Sequence, residues 1–341
     1  SSHITSLLIS SLATSTVIVA NTNHWLIAWV GLELNTLSII PLLTKPRTPR
    51  STEAATKYFL IQAAASSVLL SAGALNALKT GQWDMTQLTT QPALTMLTLA
   101  LLMKLGLVPL HAWLPEVMQG TTTTLALVLA TWQKLAPFAL LYALSNLIHT
   151  PTTLTLALLS TLVGGWGGLN QTQLRKLMAF SSIAHLGWTV SMIPLNKYLA
   201  LLTLTLYMIM TVTAFSTILS TNMKSLKDTT TTWSTTPPML ILLLFTLISL
   251  GGLPPMSGFL PKWFTLKNLI FSDLTTTATA MALSALLSLT FYIRITYLTS
   301  LTISPSTQMM KIKWRLTMKP NTLIAITIPM TTMMLPLTPT L

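Results

Sequence analysis

The chain contains no cysteine. That absence excludes thiolate-held iron–sulfur clusters, CxxC zinc sites, disulfides and a cysteine nucleophile. Charge is also scarce: 7% of the 341 residues are charged, and Asp and Glu together number 6. Acids so few and so scattered allow no credible Ser–His–Asp arrangement. The histidines, His3, His24, His111, His149 and His185, are dispersed without HxxxH, HxxE or HExxH spacing, and no Gly-rich phosphate loop follows a strand. His3, His24 and His149 read as terminal or loop residues.

Apolar residue types make up 51% of the chain, and the mean hydropathy is +0.67. A soluble protein would carry about a quarter charged residues. The composition is that of an all-α polytopic membrane protein. The first apolar run is followed by no cleavage site and soluble domain, so it reads as a spanning helix. A net charge of +13, from 19 Lys and Arg, could suit a nucleic-acid binder. Here the basic residues lie in short loops between apolar spans, which is the distribution a membrane protein has. No nucleic-acid partner is expected. Thr229–Thr232 reads as low complexity, the drift of an organellar genome.

A bilayer crossing takes about 17–25 apolar residues. Eleven such spans are expected: Ile4–Ala20, His24–Leu43, Thr56–Leu78, Ala93–Met118, Thr123–Leu144, Thr152–Leu169, Leu174–Ile193, Tyr198–Leu219, Met239–Ile270, Thr275–Leu298 and Asn321–Leu337. Alternating the loops then places Lys45, Arg47, Arg50, Lys57, Arg175, Lys176, Lys224, Lys227, Lys311, Lys313, Arg315 and Lys319 on one side. The other side receives Lys79, Lys197 and Lys267. This bias puts the N-terminus on the positive side and the C-terminus opposite. Arg294 falls in the last turns of its span and is expected to snorkel to the basic side.

The stretch 101–119, LLMKLGLVPLHAWLPEVMQ, organises the chain. It begins as a spanning helix, carries Lys104 among leucines and is interrupted at Pro109 and Pro115. An interior proline frees backbone polar groups, which in lipid need protein or water as partners. Leu105-Gly106, Pro109 and Leu114-Pro115-Glu116 match Leu250-Gly251, Pro254 and Leu260-Pro261-Lys262, with one extra residue in the second copy. The two copies lie an odd number of spans apart, so they cross in opposite directions. The expected architecture is therefore two inverted five-helix repeats, each with a broken helix, plus a C-terminal helix. The boundaries are 1–145 (broken helix 93–118), 146–300 (broken helix 239–270), and 301–341 for the basic loop and last helix. Broken segments at matching positions of two halves point to an ion path.

Five ionisable residues fall near the middle of spans: Glu33, Lys104, Lys134, His185 and Lys262. A central charged residue costs about 2.5–3.5 kcal/mol on insertion scales, so these groups must face one another or water. Lys104 is the natural partner of Glu33, as a switch or as a static ion pair between helices. Lys134 has Gln133 beside it and no acid in its span. Burial disfavours the charged form of a lysine, which makes Lys134 able to bind and release a proton. His185 suits a relay and equally a helix–helix hydrogen bond. His111, inside the first break, reads as relay or cap. Glu116 reads as a proton entrance or a loop acid.

Several segments carry a family resemblance: HWLIAWVGLELNTLSIIPL at 24–42, TKYFLIQAAAS at 56–66, LMKLGLVPLHAWLPEV at 102–117, LRKLMAFSSIAHLGW at 174–188 and GGLPPMSGFLPKW at 251–263. Together they resemble the antiporter-like, proton-pumping membrane subunits of respiratory complex I, in particular the chain 2 branch of animal mitochondria. The resemblance implies a subunit of an NADH:ubiquinone reductase that translocates protons and does no redox chemistry itself. It implies Glu33 paired with Lys104, Lys134 as the central lysine, His185 as the second-half relay and Lys262 as the terminal lysine near an outlet. No cofactor or metal is implied in this chain; NADH, FMN, iron–sulfur clusters and ubiquinone belong to partner subunits. The implied partners are the other membrane-arm subunits of complex I, mitochondrially encoded and accessory, and phospholipids, with cardiolipin a candidate. The implied location is the mitochondrial inner membrane, with the N-terminus in the matrix and the C-terminus in the intermembrane space. A free-standing multisubunit cation/proton antiporter is the alternative, and a static scaffold a third reading.

Overall fold

A computed structural model describes residues 2–88, 90–302 and 322–336. Among these, helix is the only regular secondary structure, apart from two isolated β-bridges, His24 to Asp84 and Gln173 to Ser225. Six stretches are long and apolar enough to cross a membrane, and three shorter helices are also apolar. The basic segment holding Lys311, Lys313, Arg315 and Lys319 lies outside the described residues.

The chain divides into two compact units, 1–160 with 190–197 and 161–189 with 198–341. The first begins with α1 (Ser2–Asn21), α2 (Trp25–Thr44) and α3 (Pro49–Thr80). His24 caps α2 by accepting the Leu26 N–H on Nδ1. Thr48 and Ser51 form a reciprocal capping box at α3, with Pro49 where its missing N–H costs nothing. The expected fourth span is two helices, α4 (Gln91–Leu105) and α5 (Trp113–Gly120). The expected fifth span, Thr123–Leu144, is also interrupted. It consists of α6 (Thr123–Ala130), a 3-10 turn at Trp132–Lys134, and α7 (Leu135–Ala143). Pro137 has no N–H for the carbonyl four residues back, and that explains the break. In this unit α1 packs on α2, α3 packs on α2, α4 and α5, and α7 lies against α1 and α4.

The remaining helices are α8 (Thr150–Gly168), α9 (Leu174–Met192), α10 (Lys197–Thr221), α11 (Leu226–Thr235), α12 (Pro237–Gly251), α13 (Phe259–Phe271), α14 (Thr275–Leu301) and α15 (Thr322–Thr332). The Gly164–Gly168 end of α8 is an interface. A Cβ at Gly164 would lie 2.6 Å from the Ala184 backbone nitrogen on α9, and one at Gly165 would lie 2.7 Å from the Leu287 side chain on α14. Lipid offers no hydrophobic drive between helices, so such close backbone approach is what joins them. Gly164→Val should therefore lower the melting temperature of the solubilised protein, since overpacking costs about 1–3 kcal/mol. An unchanged melting temperature would show that α8 and α9 can separate freely.

The Thr229–Thr232 run lies inside α11, a helix the sequence reading did not expect. Asp228 anchors it, accepting the backbone N–H groups of Lys224 and Ser225 at 2.8 Å each. Burial alone would raise the Asp228 carboxyl, but those N–H groups hold it below its ordinary value. Threonines elsewhere in the spans are satisfied locally. On α10 the hydroxyls of Thr203, Thr211, Thr213 and Thr217 each donate to the carbonyl three residues back. Such back-bonding lets hydroxyl-rich helices sit in an apolar environment. Arg294 on α14 donates to the Leu169 carbonyl just past the end of α8, a tether beyond the expected snorkelling. The last expected span is represented by α15, an 11-residue helix that packs on α12.

Candidate functional site: buried lysines at helix breaks

Lys104, Lys134 and Lys262 are buried, with relative exposures of 6%, 2% and 9%. Each stands at an interruption of helix. Lys104 is in the last turn of α4, Lys134 ends the 3-10 turn between α6 and α7, and Lys262 is in the first turn of α13.

The break after α4 is closed by Gly106, whose φ of +80° is left-handed. Gly106 N–H bonds to the Met103 carbonyl and Leu107 N–H to the Leu102 carbonyl, both at 3.0 Å. This is the double bond pattern of a Schellman cap. The Trp113 indole adds a bond to the Met103 carbonyl at 3.2 Å, and the Gln62 amide reaches the Lys104 carbonyl at 3.5 Å. The backbone here is thus partnered, while the Lys104 ammonium is buried with no hydrogen-bond partner among the described residues.

That ammonium lines a small cavity with Leu32, Asn35, Thr36, Tyr58, Gln62, Trp113, Gln133 and Pro137. Its interior offers about 10 Å³ to the centre of a water molecule, room for about one water. The expected Glu33–Lys104 contact pair is not made, because the ion pairs among the described residues lie elsewhere. The Glu33 carboxylate instead accepts from the Thr36 hydroxyl at 3.1 Å and acts on Lys104 through space. An amide network missed at the sequence level completes the site. Gln133 Nε2 donates to Asn35 Oδ1 at 2.8 Å, and the Tyr58 hydroxyl donates to Gln133 Oε1 at 3.3 Å.

Glu116 and His111 stand apart from this cavity. Glu116 pairs with Lys57 at 2.7 Å, and Lys57 also holds Glu53 at 2.5 Å, all three substantially exposed. His111 places Nδ1 3.3 Å from the Pro109 carbonyl, a local contact within the break.

In the second unit the break after α12 is closed by Gly252, again left-handed at φ +74°. An X–Pro bond that is cis follows each glycine, Val108–Pro109 in the first break and Pro254–Pro255 in the second. The second break ends differently. Lys262 reaches back across it and donates from Nζ to the Gly251 carbonyl at 2.8 Å. The last carbonyls of a helix lack intrahelical partners and sit at the negative end of its dipole, so a cation is stabilised there. The Ser257 hydroxyl, inside the break, donates to the Thr331 carbonyl of α15. His185 is buried in α9 with its ring 5.5 Å from that of Tyr207, and Tyr207 is hydrogen-bonded to Ser182. The Tyr292 ring lies on Gly251, and its hydroxyl is buried without a hydrogen bond of good geometry, near Ser181. Among the described residues no group of three or more His, Asp or Glu could hold a metal ion.

Residues 22–288 match the family described as NADH:quinone oxidoreductase/Mrp antiporter, transmembrane, and residues 289–341 match the C-terminus of NADH dehydrogenase subunit 2. NADH-ubiquinone oxidoreductase chain 2 of Xenopus laevis is 51% identical over 338 residues, covering 98% of this chain and 97% of its own. The chain belongs to the NADH-ubiquinone oxidoreductase chain 2 family. The chain 2 of Latimeria chalumnae is 50% identical over 342 residues, covering 100% of this chain and 98% of its own. Among solved structures, a chain of respiratory complex I from Thermus thermophilus superposes with a TM-score of 0.81 at 27% identity, over 95% of this chain and 76% of that one. A chain of the Mrp complex from Dietzia superposes with a TM-score of 0.77 at 18% identity, over 88% of this chain and 61% of that one, a likeness of fold alone. The chain 2 resemblance read from the sequence motifs is thereby established across nearly the whole chain.

Proposed function

We propose that this chain, a membrane-arm subunit of the proton-pumping NADH-ubiquinone oxidoreductase, moves protons between buried groups and water. Electron transfer in other subunits drives the movement. Glu33 and Lys104 form the input, Lys134 is the central carrier, and His185 and Lys262 continue the path to an outlet. NADH, FMN, iron–sulfur clusters and ubiquinone act in those partner subunits. The chain spans the mitochondrial inner membrane about eleven times, with its N-terminus in the matrix and C-terminus in the intermembrane space. Its two inverted repeats correspond to the two glycine-capped breaks. Mitochondrially encoded and accessory membrane-arm subunits, and phospholipids, surround it.

The observation that carries this reading is the placement of all three buried lysines at helix breaks. Broken helix at membrane depth persists only where it is buried in protein or lines water, and an ionisable group there is costly unless it is used. Lys104, whose ammonium has no hydrogen-bond partner among the described residues, is the clearest instance. A free-standing cation/proton antiporter shares the fold, but a sodium path calls for more buried acids than Glu33 supplies. A static scaffold would be expected to pair its charges directly, as Lys57 does with Glu53 and Glu116.

Lys134→Met tests the reading in the assembled oxidoreductase reconstituted into liposomes. The expected outcome is a lower ratio of protons moved to NADH oxidised, with NADH oxidation retained when the membrane is uncoupled. Full pumping stoichiometry would remove Lys134 from the path.

A further inference from the structure

Gln133 precedes Lys134 in the same 3-10 turn. Its amide is held at both ends. Nε2 donates to Asn35 Oδ1 on α2 at 2.8 Å, and Oε1 accepts from the Tyr58 hydroxyl on α3 at 3.3 Å. Asn35 is two residues from Glu33. Tyr58 is one turn from Gln62, whose amide meets the Lys104 carbonyl. Asn35, Tyr58, Gln62, Gln133 and Lys104 all line one cavity. A carboxamide has a donor end and an acceptor end, so these two partners fix which way it points.

We propose that Gln133 is a positioning residue that ties the turn carrying Lys134 to the pocket around Lys104. It does so through the two-ended bond of its amide to Asn35 and Tyr58. The inference rests on the proton path proposed above and adds a residue that is not itself a proton carrier. Pro137 releases the helix at this point, so these side-chain bonds add to the short backbone bonds of the turn, from Lys134 N–H to the Thr131 carbonyl and from Leu135 N–H to the Trp132 carbonyl. A charge change at Lys104 alters the field on the same cavity wall that Asn35 and Tyr58 form. The amide then transmits any shift of those side chains to the backbone next to Lys134. The titratable groups that share the cavity with Gln133 are Tyr58 on α3 and Lys104 on α4; Glu33 lies two residues from Asn35 on α2, and Lys134 is the next residue of the turn.

The test uses the assembled oxidoreductase carrying variant chains, reconstituted into liposomes. Proton-pumping rate and NADH oxidation are followed from about pH 6 to about pH 9, a range that includes the values reached by buried glutamates. Gln133→Met keeps the shape and removes both bonds. It is expected to lower the pumping rate about 5–30-fold at every pH, the range carried by the loss of two net hydrogen bonds. Gln133→Glu, when protonated, restores both bonds, with its hydroxyl to Asn35 and its carbonyl oxygen from Tyr58. When ionised it can only accept, and the bond donated to Asn35 Oδ1 is lost. Its pumping is expected near wild type at the acid end and to fall as pH rises, a profile that a mere packing role would not give. Pumping by Gln133→Met at the wild-type rate, or Gln133→Glu indistinguishable from Gln133→Met at every pH, overturns the inference. Lys134→Met separates the two levels. If it pumps fully, the path itself is wrong; if it fails while Gln133→Met pumps normally, only the role of Gln133 is wrong.

Discussion

Lys104→Met is expected to lower proton pumping by about a hundredfold or more, the low end of what a positioned proton-transfer group contributes, while leaving the melting temperature of the assembled enzyme unchanged or higher. The sign of the second effect follows from the cavity. The Lys104 ammonium is buried and has no hydrogen-bond partner among the described residues. A charge at mid-span costs about 2.5–3.5 kcal/mol on insertion scales. Glu33 offsets part of that through space, without direct contact. Methionine is unbranched, one atom shorter than lysine, and carries no charge to desolvate. The backbone contacts of this break do not depend on the ammonium. Trp113 and Gln62 bond to the carbonyls of Met103 and Lys104, and Gly106 and Leu107 complete the cap. Activity and stability should therefore move in different directions. Thermal unfolding and proton uptake measured on the same preparation decide the matter. Wild-type pumping would take Lys104 off the path. A clear fall in melting temperature would mean the ammonium is structurally satisfied.

The same contrast shows what was legible in the sequence. Gly106 with Pro109, and Gly251 with Pro254, mark both broken helices because glycine and proline alter the backbone directly, although the left-handed cap of the second break falls one residue later, at Gly252. The break at Lys134 was legible too, in Pro137 three residues later, but an apolar run with a single proline reads as a continuous span. The proposed carriers announce themselves as charges in apolar surroundings. Their partners do not. Asn35, Gln62 and Gln133 are common polar residues whose significance lies in which helix faces which, and that is set by tertiary packing. Glu33 acts on Lys104 through space and not by direct contact for a related reason: chemistry says which groups attract, while rotamers and neighbours such as Thr36 decide which atoms meet. Helix α11 was hidden by threonines of modest helix propensity. Its signal was the Ser225-x-x-Asp228 capping box.

Gly252→Ala is expected to impair pumping while leaving every ionisable residue in place. Gly252 has φ +74°, where a residue bearing a Cβ pays about 1–2 kcal/mol in backbone energy. A Cβ there would also lie 2.8 Å from Lys262 Cδ and 2.9 Å from Lys262 Nζ. The flexible lysine is the part that yields. In yielding it leaves the Gly251 carbonyl, which it now holds at 2.8 Å. Hydrogen bonds to charged groups contribute about 1.5–3 kcal/mol, so the displaced lysine takes a different position and a different proton affinity. Gly81 supplies the control. It has nearly the same backbone angle, φ +73°, but a Cβ there meets nothing within 4 Å. Gly81→Ala should therefore carry the backbone cost alone, with a modest loss of stability and normal pumping. Gly252→Ala should carry that cost and the loss of pumping besides. Equal pumping by the two variants would mean that the contact between Lys262 and the end of α12 is a structural cap with no part in proton movement.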